Sequence, residues 1–593
     1  MLLRKDPSVA ARRFRALARR WLPLIQARGL GIVLLAGIAG VVSGLAVVAV
    51  SGIVQRIHLL LFDLQENARL SAMFSLSRPT QALVPCLGGV LLGLSLIALR
   101  RLRRRTPIDP IEANALYGGR MSLNDTAVIA AQTMVSSGFG ASVGLEAAYT
   151  QVGSGLASWL GREFRVRRAD LRILVGCGAA GAIAAAFEAP LTGAFYGFEL
   201  IIGVYSLANV APVLTAALCA AVTAQLFGDA PFPLELGGLP AITVAQYVPF
   251  VGLGLLGGAA SIAVMYAVTL VERGFVRLRV DQALRPAIGG ALVGALALIT
   301  PQVLSSGHGA LHREFAMNYG LATLATVFAL KMLASAVSLG AGFRGGLFFA
   351  SLFLGALLGK IFAIVLAAVY PSLGMDTGVA AVVGMASLAV GVIGAPLTMS
   401  FLALESTGDL TITGVVLCAS IGSMLLVRET FGYSFSTWRF HLRGETIRSA
   451  HDVGWMRSLT VGSMMRTDVR KIDAATPLAE FRRQVPLGSA QRIVAVDEGD
   501  LYAGILIVPD LHTATVPDAT EVRALARFAD TVLVPTMNAQ SAAGAFQKAG
   551  SEELAVVEGF TDHRVVGLLT EAHLLRRYAE EVDKARRDVA GEE

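Results

Sequence analysis

Four carboxylates, Glu146, Glu188, Glu199 and Glu405, stand in otherwise apolar stretches of this 593-residue chain. A carboxylate in a membrane interior is costly, and where one persists it serves as a gate, a proton relay or a partner for another buried group. Glu146 has the most telling setting. It closes the small-residue run Ser136-Ser137-Gly138-Phe139-Gly140-Ala141-Ser142-Val143-Gly144-Leu145, after which a helix is expected. The start of a helix offers unpaired N–H groups and the positive end of the helix dipole, which together make an anion site. A glutamate tethered there can fill the site as a carboxylate and leave it when protonated. A proton-sensitive gate that competes with a free anion needs no more than that. A second segment, Gly345-Gly346-Leu347-Phe348-Phe349, offers another helix start without an acid. Its amides could hold an anion that Glu146 displaces.

The elements that position these residues recur. Pro190 and Pro396 stand 206 residues apart in matching Ala-Pro-Leu-Thr runs, as do Glu199 and Glu405, Gly178 and Gly384, and Ala180 and Ala386. Gly144-Leu145 followed by Gly153 is echoed by Gly346-Leu347 followed by Gly355. Two hydrophobic halves, about 30–228 and 247–430, therefore carry the same punctuation. In a membrane protein this pattern means a duplicated fold with its site where interrupted helices of the halves meet.

The chain is 54% hydrophobic and 16% charged, against about a quarter charged for a soluble protein. The apolar segments lie between 30 and 440, and several are shorter than the roughly 20 residues of a full crossing. Broken helices persist in a bilayer only where protein or an aqueous cavity satisfies the freed backbone, so the short segments point to a pathway for an ion or solute. Residues 1–29 form a basic arm, and with Arg100 to Arg105 they flank a pair of spans. By the positive-inside rule both flanks, and hence both termini, are expected in the cytoplasm. These flanks account for most of the formal charge of +7, and no nucleic-acid partner is expected. Cys86, Cys177, Cys219 and Cys418 lie in apolar stretches without metal-ligand or disulfide spacing, and read as small core hydrophobes. No metal site and no enzymatic nucleophile–base cluster is expected.

Residues 457–580 alternate strand-like and helical stretches. Gly504-Ile505-Leu506 with Asp510-Leu511 is echoed 63 residues later by Gly567-Leu568-Leu569 with His573-Leu574. With Val461-Gly462-Ser463-Met464-Met465, this segment resembles a tandem pair of CBS domains. Residues 581–593 read as a charged tail, a helix end followed by disorder.

Residues 30–440 resemble the CLC family of chloride channels and chloride/proton antiporters. The Gly144-Leu145-Glu146 turn is similar to the family's gating-glutamate motif and Gly346-Leu347-Phe348 to its second helix-start motif. Phe187-Glu188-Ala189-Pro190-Leu191 with Glu199 resembles the segment leading to its inner acidic pair, and Gly432-Tyr433-Ser434 the segment bearing its inner-gate tyrosine. The resemblance implies an all-α polytopic membrane domain with inverted repeats, joined to a C-terminal α/β CBS pair. It implies a homodimer in the cell membrane, a bacterial inner membrane, with one pathway for chloride or another small anion in each subunit. Glu146 would be the gate. Thr106, Gly144, Leu145, Gly346, Leu347, Phe348 and Tyr433 would surround the anion, and Glu188 and Glu199 would be candidates for a proton route.

There are departures from the family pattern. Its first motif falls near Arg105-Thr106-Pro107-Ile108-Asp109, in a register with Thr106 in place of its serine hydroxyl; a shift of one residue would put Pro107 there instead. Leu145 replaces a usual arginine, Ala147-Ala148 a Gly-Pro, Ala350 a proline, and Leu200 the internal proton-transfer glutamate of many antiporters. Leu200 favours a channel or a loosely proton-coupled exchanger, with a strict chloride/proton antiporter as the alternative. A CBS-linked cation transporter is the remote alternative, because helix starts favour anions. Glu188 could pair with Lys331 or Arg344, Glu199 and Glu405 could cap helices, and His308 is expected in a loop. No cofactor is expected. The ribose-contacting CBS pattern is half kept in each copy, Ile507 with Asp510 and Thr570 with His573, so an adenosine nucleotide is no better supported than a structural role.

Overall fold

The computed structural model describes residues 30–65, 68–102, 107–228, 240, 242–317, 319–435, 437–438, 459–560 and 562–590. The basic arm and Thr106 lie outside the described residues. The chain divides into two units, residues 1–452 and 453–593.

The first unit is helical, and its helices fall into two runs of eight among the described residues. The first run is α1 (Leu30–Phe62), α2 (Val84–Leu102), α3 (Pro110–Leu116), α4 (Leu123–Gly138), α5 (Glu146–Glu163), α6 (Arg168–Phe187), α7 (Pro190–Tyr196) and α8 (Leu207–Phe227). The second is α9 (Tyr247–Arg277), α10 (Arg285–Ile299), α11 (His308–Ala316), α12 (Leu321–Gly340), α13 (Phe348–Val369), α14 (Thr377–Ile393), α15 (Pro396–Thr407) and α16 (Leu410–Thr430). Eight helices among the described residues are long and apolar enough to cross a membrane. Short helices α3 and α11 carry little apolar patterning and were not foreseen.

Contacts repeat between the runs. α1 packs on α8 as α9 packs on α16, and α5 packs on α6 as α13 packs on α14. Across the runs, each element meets its own counterpart, α2 with α10 and α7 with α15. Reciprocal contacts of this kind are what a two-fold axis between halves produces. The recurring glycines have a matching cause. A Cβ on Gly153 would stand 2.3 Å from the carbonyl oxygen of Gly178, and one on Gly355 2.3 Å from that of Gly384, so α5 on α6 and α13 on α14 touch backbone to backbone. Pro190 and Pro396 open α7 and α15, where a missing N–H costs nothing. Helix α7 continues as a π-turn over Gly197–Ile202 and stops at Gly203, whose φ is 77°. Cys177 is buried, but Cys86 and Cys219 are half-buried and Cys418 is exposed, so the cysteines are not all core residues.

The second unit holds α17 (Val461–Met464), β1 (Lys471–Asp473), α18 (Leu478–Gln484), β2 (Arg492–Asp497), β3 (Leu501–Ile507), α19 (Val508–Thr513), α20 (Ala539–Ala549), β4 (Glu553–Val557), β5 (Val565–Thr570) and α21 (Glu571–Ala590). Strand β2 pairs parallel with β1 and antiparallel with β3, and β4 pairs antiparallel with β5. Each hairpin carries one irregularity, at Ala495/Val496 and Val556/Val557, and each is followed by a helix. The internal repeat is therefore structural. The charged segment from 581 continues α21 as far as Ala590.

Candidate functional site

The segments leading into α5 and α13 meet head to head. Gly144 N–H donates to Gly346 O at 2.9 Å, and Gly346 N–H donates back to Gly144 O at 3.3 Å, an isolated antiparallel bridge. Serines brace this junction across the repeats. Ser142 N–H donates to Ser338 Oγ at 2.9 Å, and Arg344 N–H donates to Ser136 Oγ at 3.0 Å. Glu146, 5% exposed, opens α5 and reaches across the bridge, where its Oε1 accepts the Phe349 N–H at 2.5 Å. Its Oε2 is buried and meets no hydrogen-bond partner among the described residues. That oxygen lies over the two glycines: a Cβ on Gly144 would be 1.8 Å from it, and one on Gly346 3.2 Å. One helix start thus holds the side chain of the other.

Glu146 faces a cavity of about 170 Å³ whose walls include Pro107, Asp109, Thr150, Tyr196, Arg344, Gly346, Leu347, Phe348 and Phe435. Gly346, Leu347 and Phe348 line this cavity together with Glu146. Gly144 is used up in the bridge. Leu145 turns away, into a separate cavity with Tyr149. Asp109, at the wall, accepts Glu112 N–H at 2.8 Å and caps α3, so the seven-residue α3 is closed by a carboxylate of its own chain.

Tyr433 is not in this cavity. It lines another of about 180 Å³, with Glu199, Leu200, Arg428 and Ser434, and its ring lies 5.7 Å from that of Trp438. The two cavities share Ile111 and Ile393 as walls. The tyrosine beside Glu146 is Tyr196, stacked on Phe348 with ring centroids 6.1 Å apart. Its position in the Gly-rich break before Glu199 is the signal that could have found it.

The remaining acids have definite positions. Glu199 accepts the N–H groups of Leu397 and Thr398 at 3.0 and 2.8 Å and the Thr398 hydroxyl at 2.6 Å. Glu405 does the same for Leu191 and Thr192 at 2.7, 2.8 and 2.6 Å. Each is a helix cap for the other repeat. Glu188 ends α6 in the left-handed region, at φ 54°, next to Phe187, whose ring stacks on Phe349 at 5.6 Å. Lys331 is fully buried, and its ammonium donates to the carbonyls of Val303 and Ser305 at 3.2 and 2.8 Å, so those carbonyls are its partners rather than Glu188. His308, expected in a loop, opens α11 and stacks on Phe349 with centroids 3.5 Å apart.

In the second unit, Asp510 pairs with Arg527 at 3.0 Å and the Thr570 hydroxyl accepts the His573 N–H at 3.2 Å. Both half-kept motifs are thereby engaged within the unit. No cluster of His, Cys, Asp or Glu among the described residues could hold a metal ion.

Residues 88–428 match the family model described as voltage gated chloride channel. The chain is 32% identical over 330 residues to a protein of Ralstonia nicotianae whose name likens it to the chloride channel ClcB, covering 55% of this chain and 77% of that one. Its fold is similar to that of a slow cyanobacterial Cl⁻/H⁺ antiporter, with a TM-score of 0.61, 22% identity, and coverage of 70% of this chain and 97% of the other. A eukaryotic CLC transporter gives a TM-score of 0.58 at 16% identity, covering 92% of this chain and 98% of the other.

Proposed function

From the premise that this chain belongs to the voltage-gated chloride channel (CLC) family, whose members are multi-pass anion transporters and not enzymes, we propose that Glu146 is the proton-sensitive gate of its anion pathway. The observation that carries this reading is the bond from Phe349 N–H to Glu146 Oε1, with Oε2 buried and meeting no hydrogen-bond partner among the described residues. A carboxylate held there occupies the helix start that an anion would use. Protonation removes the charge and with it most of the attraction to the amide, so the side chain leaves and an anion can take its place. Burial strengthens both competing interactions, because little water screens them.

Chloride is the proposed anion. Leu347 and Phe348, at the start of α13, wall the central cavity, and Tyr196 lines it as well, beside Thr150. The inner acid position is Leu200, and Glu199 is occupied in capping α15. These two facts favour a channel or a loosely coupled exchanger over a strict antiporter, with Glu188 the acid left for an inner proton route. We assign the second unit as a CBS pair with a structural or dimerising role, its Asp510 tied to Arg527. The working form is a homodimer in the bacterial inner membrane with both termini in the cytoplasm.

The test is chloride efflux from proteoliposomes with a pH electrode, for wild type and Glu146→Ala. Efflux that rises on acidification in the wild type, and is high and pH-independent in the variant, is expected. Efflux with the same pH dependence in both would overturn the gate. Uphill proton movement driven by chloride would move the assignment to a strict antiporter.

A further inference from the structure

The residues that wall the central cavity are of two kinds. Arg344, Gly345, Gly346, Leu347 and Phe348 come from the second run of helices and bring a cation and the start of α13. From the first run come Asp109, at the start of α3, and Glu146, Thr150 and Gln151, spaced to share one face of α5. Asp109 and Glu146 are the two carboxylates among the lining residues, and neither Glu188 nor Glu199 is among them.

Gln151, 1% exposed, shows what this second group of residues needs. Its Nε2 donates to Ile108 O at 3.1 Å, which ties α5 to the residue before Asp109. That carbonyl also fixes the amide, because a flipped Oε1 would face another acceptor. Oε1 is therefore the atom left over, buried and without a hydrogen-bond partner among the described residues, as is Glu146 Oε2. An acceptor does not hold an anion. It calls for a donor, and water is the donor that fits. At about 10–15 Å³ per water, a cavity of about 170 Å³ has room for several beside an anion. Tyr196 adds a hydroxyl bonded to Thr150, whose own hydroxyl donates to Glu146 O at 2.8 Å.

We propose that Asp109 is the inner proton-binding residue of this cavity, taking a proton from the cytoplasmic side and passing it through water held by Gln151 to Glu146. An O–H bond breaks at Asp109 and one forms at Glu146, so the first becomes a carboxylate as the second becomes neutral; a bridging water makes such a transfer feasible. Entry past α3 is open, since Ile111 also walls the neighbouring cavity, where the Arg428 side chain is 66% exposed. The charged and titratable groups that share the cavity with Asp109 are Glu146, Tyr196 and Arg344, and Glu112 follows it in α3. Three elements pack on α3: the π-turn, α5 and α6. The π-turn holds Glu199, which is bonded to the start of α15. Helix α5 carries Arg162 and Glu163 at its far end, and α6 carries Arg168, Asp170 and Arg172 in its first turns. Arg168 lies against Gly118, beyond the other end of α3. With Glu146 as the gate, the premise here, Asp109 stands ahead of Glu188 as the inner acid.

Chloride flux in right-side-out and inverted membrane vesicles, from cells making the full-length chain, tests the route one face at a time. Vesicles from cells without the chain give the background. Acid on the cytoplasmic face should raise wild-type flux. Asp109→Asn should lose that response and keep the response to acid on the outer face. Asparagine caps a helix as well as aspartate does, so a lost cap would not explain the result. Asp109→Glu, which retains a carboxyl, and Glu188→Gln should keep both responses. A wild type that ignores cytoplasmic acid, or Asp109→Asn that responds to it as the wild type does, would overturn the assignment. Loss of that response in Glu188→Gln alone would overturn it too. Glu146→Ala with wild-type pH dependence from both faces would sink the gate itself, whereas pH-independent flux in Glu146→Ala beside an unaltered Asp109→Asn would sink the inner route alone.

Discussion

Glu199 and Glu405 exchange helix starts: each carboxylate caps the helix that leads to the other. The four backbone bonds and two threonine hydroxyl bonds tie α7 to α15 across the repeat boundary. Removing one acid leaves at least three donors without their acceptor. Glu199→Ala or Glu405→Ala should cost about 3 kcal/mol, the range for hydrogen bonds to a charged group. Thermal melting in detergent would show it. Folded protein should keep the pH dependence of anion flux; if Glu199→Ala abolishes that dependence while folding normally, the glutamate carries protons as well.

Gly144→Ala offers a second route to opening the gate. The new methyl would occupy the place of Glu146 Oε2, 1.8 Å away, and the end of a flexible side chain yields more readily than backbone. The carboxylate should be expelled without protonation, giving chloride efflux that is raised at neutral pH and little changed by acid. Efflux at the wild-type level with the wild-type pH profile would contradict this.

Tyr196 and Tyr433 can be separated by simple hydroxyl deletion. Tyr196 stands in the Glu146 cavity and Tyr433 in the neighbouring one. Tyr196→Phe should raise the chloride concentration for half-maximal flux by about fivefold, the scale of one hydrogen bond of about 1 kcal/mol, and Tyr433→Phe should leave it unchanged. The reverse ranking would return the anion-ligand role to Tyr433.

Glu314 and Lys360 form a buried pair, 3.7 Å apart and 2% and 6% exposed, that joins α11 to α13. Breaking a buried pair on one side strands the other charge, at a cost of about 3–5 kcal/mol. Lys360→Met should therefore melt well below the wild type, and adding Glu314→Gln should recover part of the loss. Equal melting of the single and double variants would show that the pair is not coupled.

The duplication was legible because what repeats is punctuation, and punctuation has local causes: Pro190 and Pro396 start helices, and Gly153, Gly178, Gly355 and Gly384 allow backbones to touch. The position of Glu146 at a helix start was legible for a related reason, since a glycine-containing run precedes it. What stayed hidden depends on partners distant in sequence. Nothing near Glu199 says that its acceptors serve Leu397 and Thr398. Helices α3 and α11, of seven and nine residues, are too short to show a period. Which cavity each aromatic after α16 lines was hidden too: Phe435 lines the one with Glu146 and Tyr433 the neighbouring one.

The doubled bond between Gly144 and Gly346 makes one rigid plate of two loops that descend from separate halves of the gene product. Neither loop can be retuned by itself: a substitution that shifts one backbone carries the other with it. Variation in ion preference is thereby steered toward the side chains that look at the plate, and an engineer wishing to change what passes should alter Tyr196, Phe348 or Phe435 and leave the plate intact.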